Sequence, residues 1–132
     1  MNSDRFSFKS RFRSFRFALN GLLSLLKYEH NSRIHLVAAT AAIVLGVFLK
    51  LSLSEWALLI IIIGAVFITE LLNSSIESLA DLIHPEHNEL IKKAKDYSAA
   101  AVLVSALVAV VTGCLIFIPK IFCLFSASCL CK

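Results

Sequence analysis

Three stretches of the chain carry no Lys, Arg, Asp or Glu: Ile34 to Leu49, Trp56 to Thr69 and Tyr97 to Pro119, with sixteen, fourteen and twenty-three residues. A helix gains about 1.5 Å per residue, and a hydrocarbon core about 30 Å thick takes roughly 20 residues to cross, so only the third run spans one unaided. The first gains length by reaching Lys50, whose stem can lie in lipid while its ammonium stays at the surface. The second continues through Leu71, Leu72, Ile76, Leu79, Ala80 and Leu82, provided that Glu70 and Glu77 face inward. The pattern predicts an all-α membrane protein of a single domain, 1–132. Transmembrane helices are expected over 33–50, 55–82 and 97–119, with a loop over 83–96 and a tail over 120–132. Ahead of the first span, Phe12, Phe15, Leu19, Leu22, Leu23 and Leu26 recur at three- and four-residue spacing beside Arg11, Arg13 and Arg16. That periodicity predicts an amphipathic surface helix within 5–30.

Composition agrees with the pattern. Of 132 residues, 58% are hydrophobic and 17% charged, against about 45–50% apolar in soluble domains. A net charge of +4 raises the question of nucleic acid, but the basic residues flank apolar runs instead of forming one soluble face, so anionic lipid is the expected partner and nucleic acid is not. The N-terminal MNSDRFSFKSRFRSFRF has no apolar core, so no signal peptide is expected. Ten of the thirteen basic residues precede the first span or lie between the second and third. By the positive-inside rule, the N-terminus and the Asp81 to Asp96 loop are expected in the cytoplasm.

The second span carries the chemistry. At about 100° per residue, Glu70, Asn73, Ser74, Glu77 and Asp81 fall within a stripe roughly 100° wide. A carboxylate inside the membrane costs about 3 kcal/mol on insertion scales, and two of them stacked on one face imply a cation, a proton or a reaction that offsets the cost. Interfacial capping is the alternative, strongest for Asp81. Glu70 and Glu77 stand about 10 Å apart along the axis, a spacing suited to a deep general base and a shallower ligand for Mg²⁺. Glu29, at the end of the surface helix, is a candidate second ligand, and Asn73 can orient either group. Lys92, Lys93 and Lys95 read first as topology anchors and second as phosphate contacts. The four glycines are isolated and no GxxxxGK[ST] is present, so neither a P-loop nor a kinase-type glycine loop is available.

The run Glu70-Leu71-Leu72-Asn73-Ser74-Ser75-Ile76-Glu77, then Asp81, Ala94-Lys95-Asp96 and Ser98-Ala99-Ala100-Ala101-Val102, resembles the prokaryotic diacylglycerol kinase family, which includes undecaprenol kinases. The resemblance covers residues 13 to 118. It implies a homotrimer in the bacterial cytoplasmic membrane, with active sites shared between subunits and open to the cytoplasm. It also implies transfer of the ATP γ-phosphate, with Mg²⁺, to the hydroxyl of a membrane lipid. By this analogy Glu70 is the base supported by Asn73, Glu29 and Glu77 hold the metal, and Glu86, Lys95 and Asp96 contact the nucleotide. His87-Asn88 departs from the more common Tyr-His pair after Glu86, which bears on adenine and ribose contacts. The segment Glu29-His30-Asn31-Ser32-Arg33-Ile34-His35-Leu36 is closer to the undecaprenol kinase branch than to the diacylglycerol branch, which tends to carry a carboxylate in place of His35. Asn31, Arg33 and His35 therefore mark the expected lipid-substrate region, with His35 also readable as an interfacial residue.

Two other readings compete. One is an oligomeric ion or proton conduit lined by Glu70 and Glu77. The other is a membrane anchor without chemistry. Small residues repeat every four positions at Ala38, Ala42 and Gly46, and again at Ala101, Ser105, Ala109 and Gly113, a spacing that lets helices approach closely in lipid. Of the four cysteines, Cys114 and Cys123 read as apolar filler, while Cys129 and Cys131 stay open.

Overall fold

A computed structural model describes residues 8–83 and 88–125, with side chains from Arg11 onward. Four helices follow in order: α1 over Phe8–Tyr28, α2 over His30–Phe48, α3 over Leu53–Ile83 and α4 over Glu89–Phe125. Three of them, α2, α3 and α4, are long and apolar enough to cross a membrane. No strand occurs among the described residues.

The last helix begins well before Tyr97, so most of the expected 83–96 loop is helical. Asn88 explains the difference. Its Oδ1 accepts hydrogen bonds from the Leu90 and Ile91 amides at 2.9 and 3.4 Å, capping donors that a helix end leaves open. Lys92, Lys93, Lys95 and Asp96 thus ride on a helix that extends past the apolar run. At the other end α4 continues through Pro119 to Phe125, into the segment expected as tail. Glu86 and most of that tail lie outside the described residues. Cys123 is disulfide-bonded, which corrects its reading as apolar filler.

The connector between α2 and α3 is short and tightly specified. Leu51 donates its amide to the Gly46 carbonyl at 3.1 Å and Lys50 donates to Val47 at 3.2 Å, the paired bonds of a Schellman ending. Lys50 takes the left-handed conformation this requires, with φ 51°. Ser52 and Glu55 then form a capping box: the Ser52 amide donates to Glu55 Oε2 at 2.6 Å, and the Glu55 amide donates to Ser52 Oγ at 3.4 Å.

Helices α3 and α4 pack antiparallel along their length. Lys120 Nζ lies 3.1 Å from Glu55 Oε2 at one end, Thr69 and Ser105 share a hydroxyl hydrogen bond of 2.8 Å in the middle, and Lys95 Nζ meets Asp81 Oδ1 at 2.9 Å at the other end. Leu51, Leu59 and Ile116 form the buried cluster at the Glu55 end, with Trp56 and Phe117 packed on it. Helix α2 leans on α3, and the close approach happens at Gly46, where a Cβ would stand 3.0 Å from the Trp56 ring and 3.3 Å from Leu51. Of the other small residues, Ser105 meets Thr69 across α3 and α4, and Ala42 packs against the buried cluster. Ala38, Ala42, Ala109 and Gly113 help to line an apolar cavity of about 220 Å³.

Gly46→Leu is expected to overpack this contact and lower stability by about 1–3 kcal/mol. Reversible unfolding in mixed micelles would measure it, and an unchanged midpoint would show that the helices do not meet there.

Candidate active site

Glu70 lies seventeen residues after Leu53, about 26 Å along the α3 axis, and so near the far edge of a hydrocarbon core about 30 Å thick. Only 2% of the residue is exposed. Helix α2 runs antiparallel beside it and brings two side chains to the carboxylate. Ser32, with no exposed surface, donates its hydroxyl to Oε2 at 3.3 Å. His35 Nε2 stands 3.1 Å from Oε1. That contact has ion-pair distance without hydrogen-bond direction, so Oε1 receives no directed hydrogen bond. His35 is within the expected lipid-substrate region, whereas Ser32 was missed there. Their i, i+3 spacing was the available signal, because it puts both on one face of α2.

One turn onward, Asn73 Nδ2 donates to Glu77 Oε1 at 3.1 Å, so its amide serves Glu77 and not Glu70. Asn73 Oδ1 and Ser74 Oγ are buried without a hydrogen-bond partner. Together with Glu70 Oε1 they make three unsatisfied acceptors or donors on little more than one turn of α3. Buried polar groups normally find partners, and a cluster of orphans at one place suits a polar ligand or water.

Glu29 sits at the start of α2, in the wall of a polar cavity of about 440 Å³ that Ser24, Tyr28, Ser74 and Ser78 also line. Among the described residues, no group of three or more His, Cys, Asp or Glu side chains is close enough to hold a metal alone. Mg²⁺ needs no such group, since it takes one or two carboxylates and completes its shell with water and phosphate oxygens. Glu77 is not among the residues lining the Glu29 cavity, so the two carboxylates are not joined in one site here, and each by its chemistry suits that mode singly.

The other expected residues divide. Lys95 is engaged by Asp81 at the site end of α3 and α4, and Asp96 is exposed beside it. Asn31 is exposed. Arg33 turns back: its Nε donates to the Leu26 carbonyl at 3.0 Å and its Nη2 to the Lys27 carbonyl, closing the last turn of α1. Buried Leu25 docks the same end of α1. Over most of its length α1 presents Phe12, Phe15, Leu19 and Leu23 exposed along one face, the pattern of an amphipathic helix.

The sequence profile of the prokaryotic diacylglycerol kinase family matches residues 16–117. The chain belongs to that family. It is similar to the undecaprenol kinase of Bacillus subtilis (strain 168), 41% identical over 110 residues that cover 83% of this chain and 89% of that protein. It is also similar to the diacylglycerol kinase of Synechocystis sp., 37% identical over 84% of this chain and 64% of that one. The Escherichia coli (strain K12) diacylglycerol kinase is 41% identical over 61% of this chain and 66% of its own length. Membership makes this chain a lipid kinase.

Removing the backbone cap tests the corner between α1 and α2. Arg33→Gln is expected to lose about 1 kcal/mol of local stability and to speed tryptic cleavage after Lys27 about fivefold. An unchanged cleavage rate would free Arg33 from this role.

Proposed function

We propose that this protein uses MgATP to phosphorylate the hydroxyl of a long-chain membrane lipid alcohol, with Glu70 as general base. One observation carries the reading: a carboxylate 2% exposed at the membrane edge, with Oε1 open to one further hydrogen bond. A base for a lipid hydroxyl has to be there, because the alcohol does not leave the bilayer. The B. subtilis similarity, spanning most of both chains, favours a polyprenol such as undecaprenol over diacylglycerol.

The step is direct transfer. Glu70 accepts the hydroxyl proton while the alcohol oxygen bonds to the γ-phosphorus and the bond from that phosphorus to the bridging oxygen breaks, releasing ADP. Glu29 and Glu77 would hold Mg²⁺, with Asn73 fixing Glu77. When bound, that ion supplies neutralisation of phosphate charge. Lys95 exchanges its contact with Asp81 for a phosphate oxygen, acting as a point charge, and Asp96 and Glu86 serve the nucleotide. Positioning and electrostatics then account for the rate, with no phosphoenzyme. We place the site on the cytoplasmic side of the inner membrane, on the basic N-terminus and the Lys92 to Lys95 cluster.

A homotrimer suits the exposed apolar faces of α2, α3 and α4, which a single chain leaves uncovered along most of their length. The conduit reading asks for polar groups across the whole bilayer. Helix α3 is entirely uncharged from Trp56 to Thr69, which counts against it.

Purified protein in mixed micelles with undecaprenol or diacylglycerol and γ-labelled ATP is expected to label the polyprenol faster. Glu70→Gln is expected to lower turnover by about 10²–10⁴-fold with the oligomer intact. Cation leakage from liposomes without lipid labelling would overturn the kinase reading. Glu77→Gln is expected to shift the Mg²⁺ dependence to higher concentration, and an unchanged Mg²⁺ titration would remove Glu77 from the metal.

A further inference from the structure

We infer that Ser32 and His35 are positioning residues that fix the direction in which Glu70 accepts a proton. The inference rests on Glu70 being the base. Three torsions separate a glutamate carboxylate from its helix, and only a carboxylate engaged at both oxygens is held against rotation about the last of them. Glu70 is engaged in that way. Ser32 Oγ donates to Oε2 at 3.3 Å, and His35 Nε2 flanks Oε1 at 3.1 Å. Both arms come from one face of α2, three residues apart, so they move as a unit. Ser32 is completely buried, which leaves its hydroxyl no exchange with bulk water.

The asymmetry of the two contacts gives the clasp its use. The hydroxyl approaches one side of Oε2 with a long hydrogen bond of 3.3 Å. The imidazole lies beside Oε1 at contact distance without directing a hydrogen bond at it, and so leaves a lone pair for an incoming hydroxyl. His35 is also the one polar residue lining the 220 Å³ apolar cavity, whose wall continues along α2 as Ala38, Ala39 and Ala42. The same ring therefore bounds the apolar space and steadies the base. Neither arm takes the substrate proton. Their contribution is geometric, and a displacement of about 1 Å at a reacting group costs about 100-fold in rate.

The test uses the full-length protein in mixed micelles with MgATP and undecaprenol. Ser32→Ala is expected to lower kcat about 10-fold and His35→Leu about 100-fold, with KM for ATP and for the lipid within about twofold of wild type. His35→Gln, whose amide restores a polar group of similar reach beside Oε1, is expected to recover at least about tenfold of the loss. In a Glu70→Gln background, His35→Leu is expected to add nothing to the residual rate, as residues acting through one group do. A raised lipid KM at unchanged kcat, a Gln variant no better than Leu, or a full His35 effect without Glu70 would each overturn the inference. Should His35→Leu fail to assemble, Ser32→Ala decides, because it removes a single oxygen, and wild-type kcat there overturns the inference. If wild-type protein labels no lipid, or Glu70→Gln keeps its rate, the kinase reading itself fails. If Glu70→Gln is inactive while Ser32→Ala and His35→Leu are not, only the clasp fails.

Discussion

A carboxylate that water cannot reach must be satisfied by protein, and in this fold that requirement falls on Glu70. Inserting it costs about 3 kcal/mol on translocon scales before any compensation. Among the described residues the compensation comes from α2, through the Ser32 hydroxyl at Oε2 and the His35 imidazole beside Oε1, which keeps no hydrogen bond of its own. The relative register of α2 and α3 is therefore fixed at the site end by polar chemistry. At the opposite end it is fixed by shape, where the absence of a side chain on Gly46 admits the Trp56 ring. Two unlike contacts, one at each end of α2, suffice to set it against α3.

The partnership of α3 with α4 is built differently. It is a ladder of three polar contacts, Glu55 with Lys120, Thr69 with Ser105 and Asp81 with Lys95, along an otherwise apolar seam. The rungs differ in what they leave available. Glu55 is already committed to the capping box, so its rung belongs to the scaffold. The Asp81 rung is exposed, and screened surface pairs of this kind contribute little to stability. A cation held so loosely is free to exchange partners, as the phosphate contact proposed for Lys95 requires. The committed rung and the exchangeable one thus sit at opposite ends of the same helix pair.

Periodicity made much of this legible. Charge-free runs marked the spans, the three- and four-residue repeat marked α1, and the angular stripe put Glu70, Asn73, Ser74 and Glu77 on one face. Interhelical facts stayed out of reach. Which carboxylate Asn73 would serve depended on rotamers, and the helix chose Glu77, four residues on. Ser32 looked like an ordinary serine in a polar segment, because only the register of α2 against α3 reveals what it touches. Arg33 read as a lipid contact from its neighbours, yet its reach back to α1 depends on the sharp corner at Glu29. The early start of α4 was written in Asn88, but a lone Asn after a Pro-containing stretch is a weak signal beside a cluster of lysines.

The helices differ in length. At about 1.5 Å per residue, α3 with 31 residues and α4 with 37 reach roughly 46 and 55 Å, well beyond the hydrocarbon thickness. Helix α2 has 19 residues and reaches about 28 Å, with nothing to spare. Mismatch in a thicker bilayer therefore bears on α2 first, and a short span is accommodated by local thinning of the bilayer or by snorkelling of a flanking residue such as Lys50. The helix with the least length in reserve is thus the one that carries Ser32 and His35 to Glu70, and bilayer thickness bears on that contact through α2.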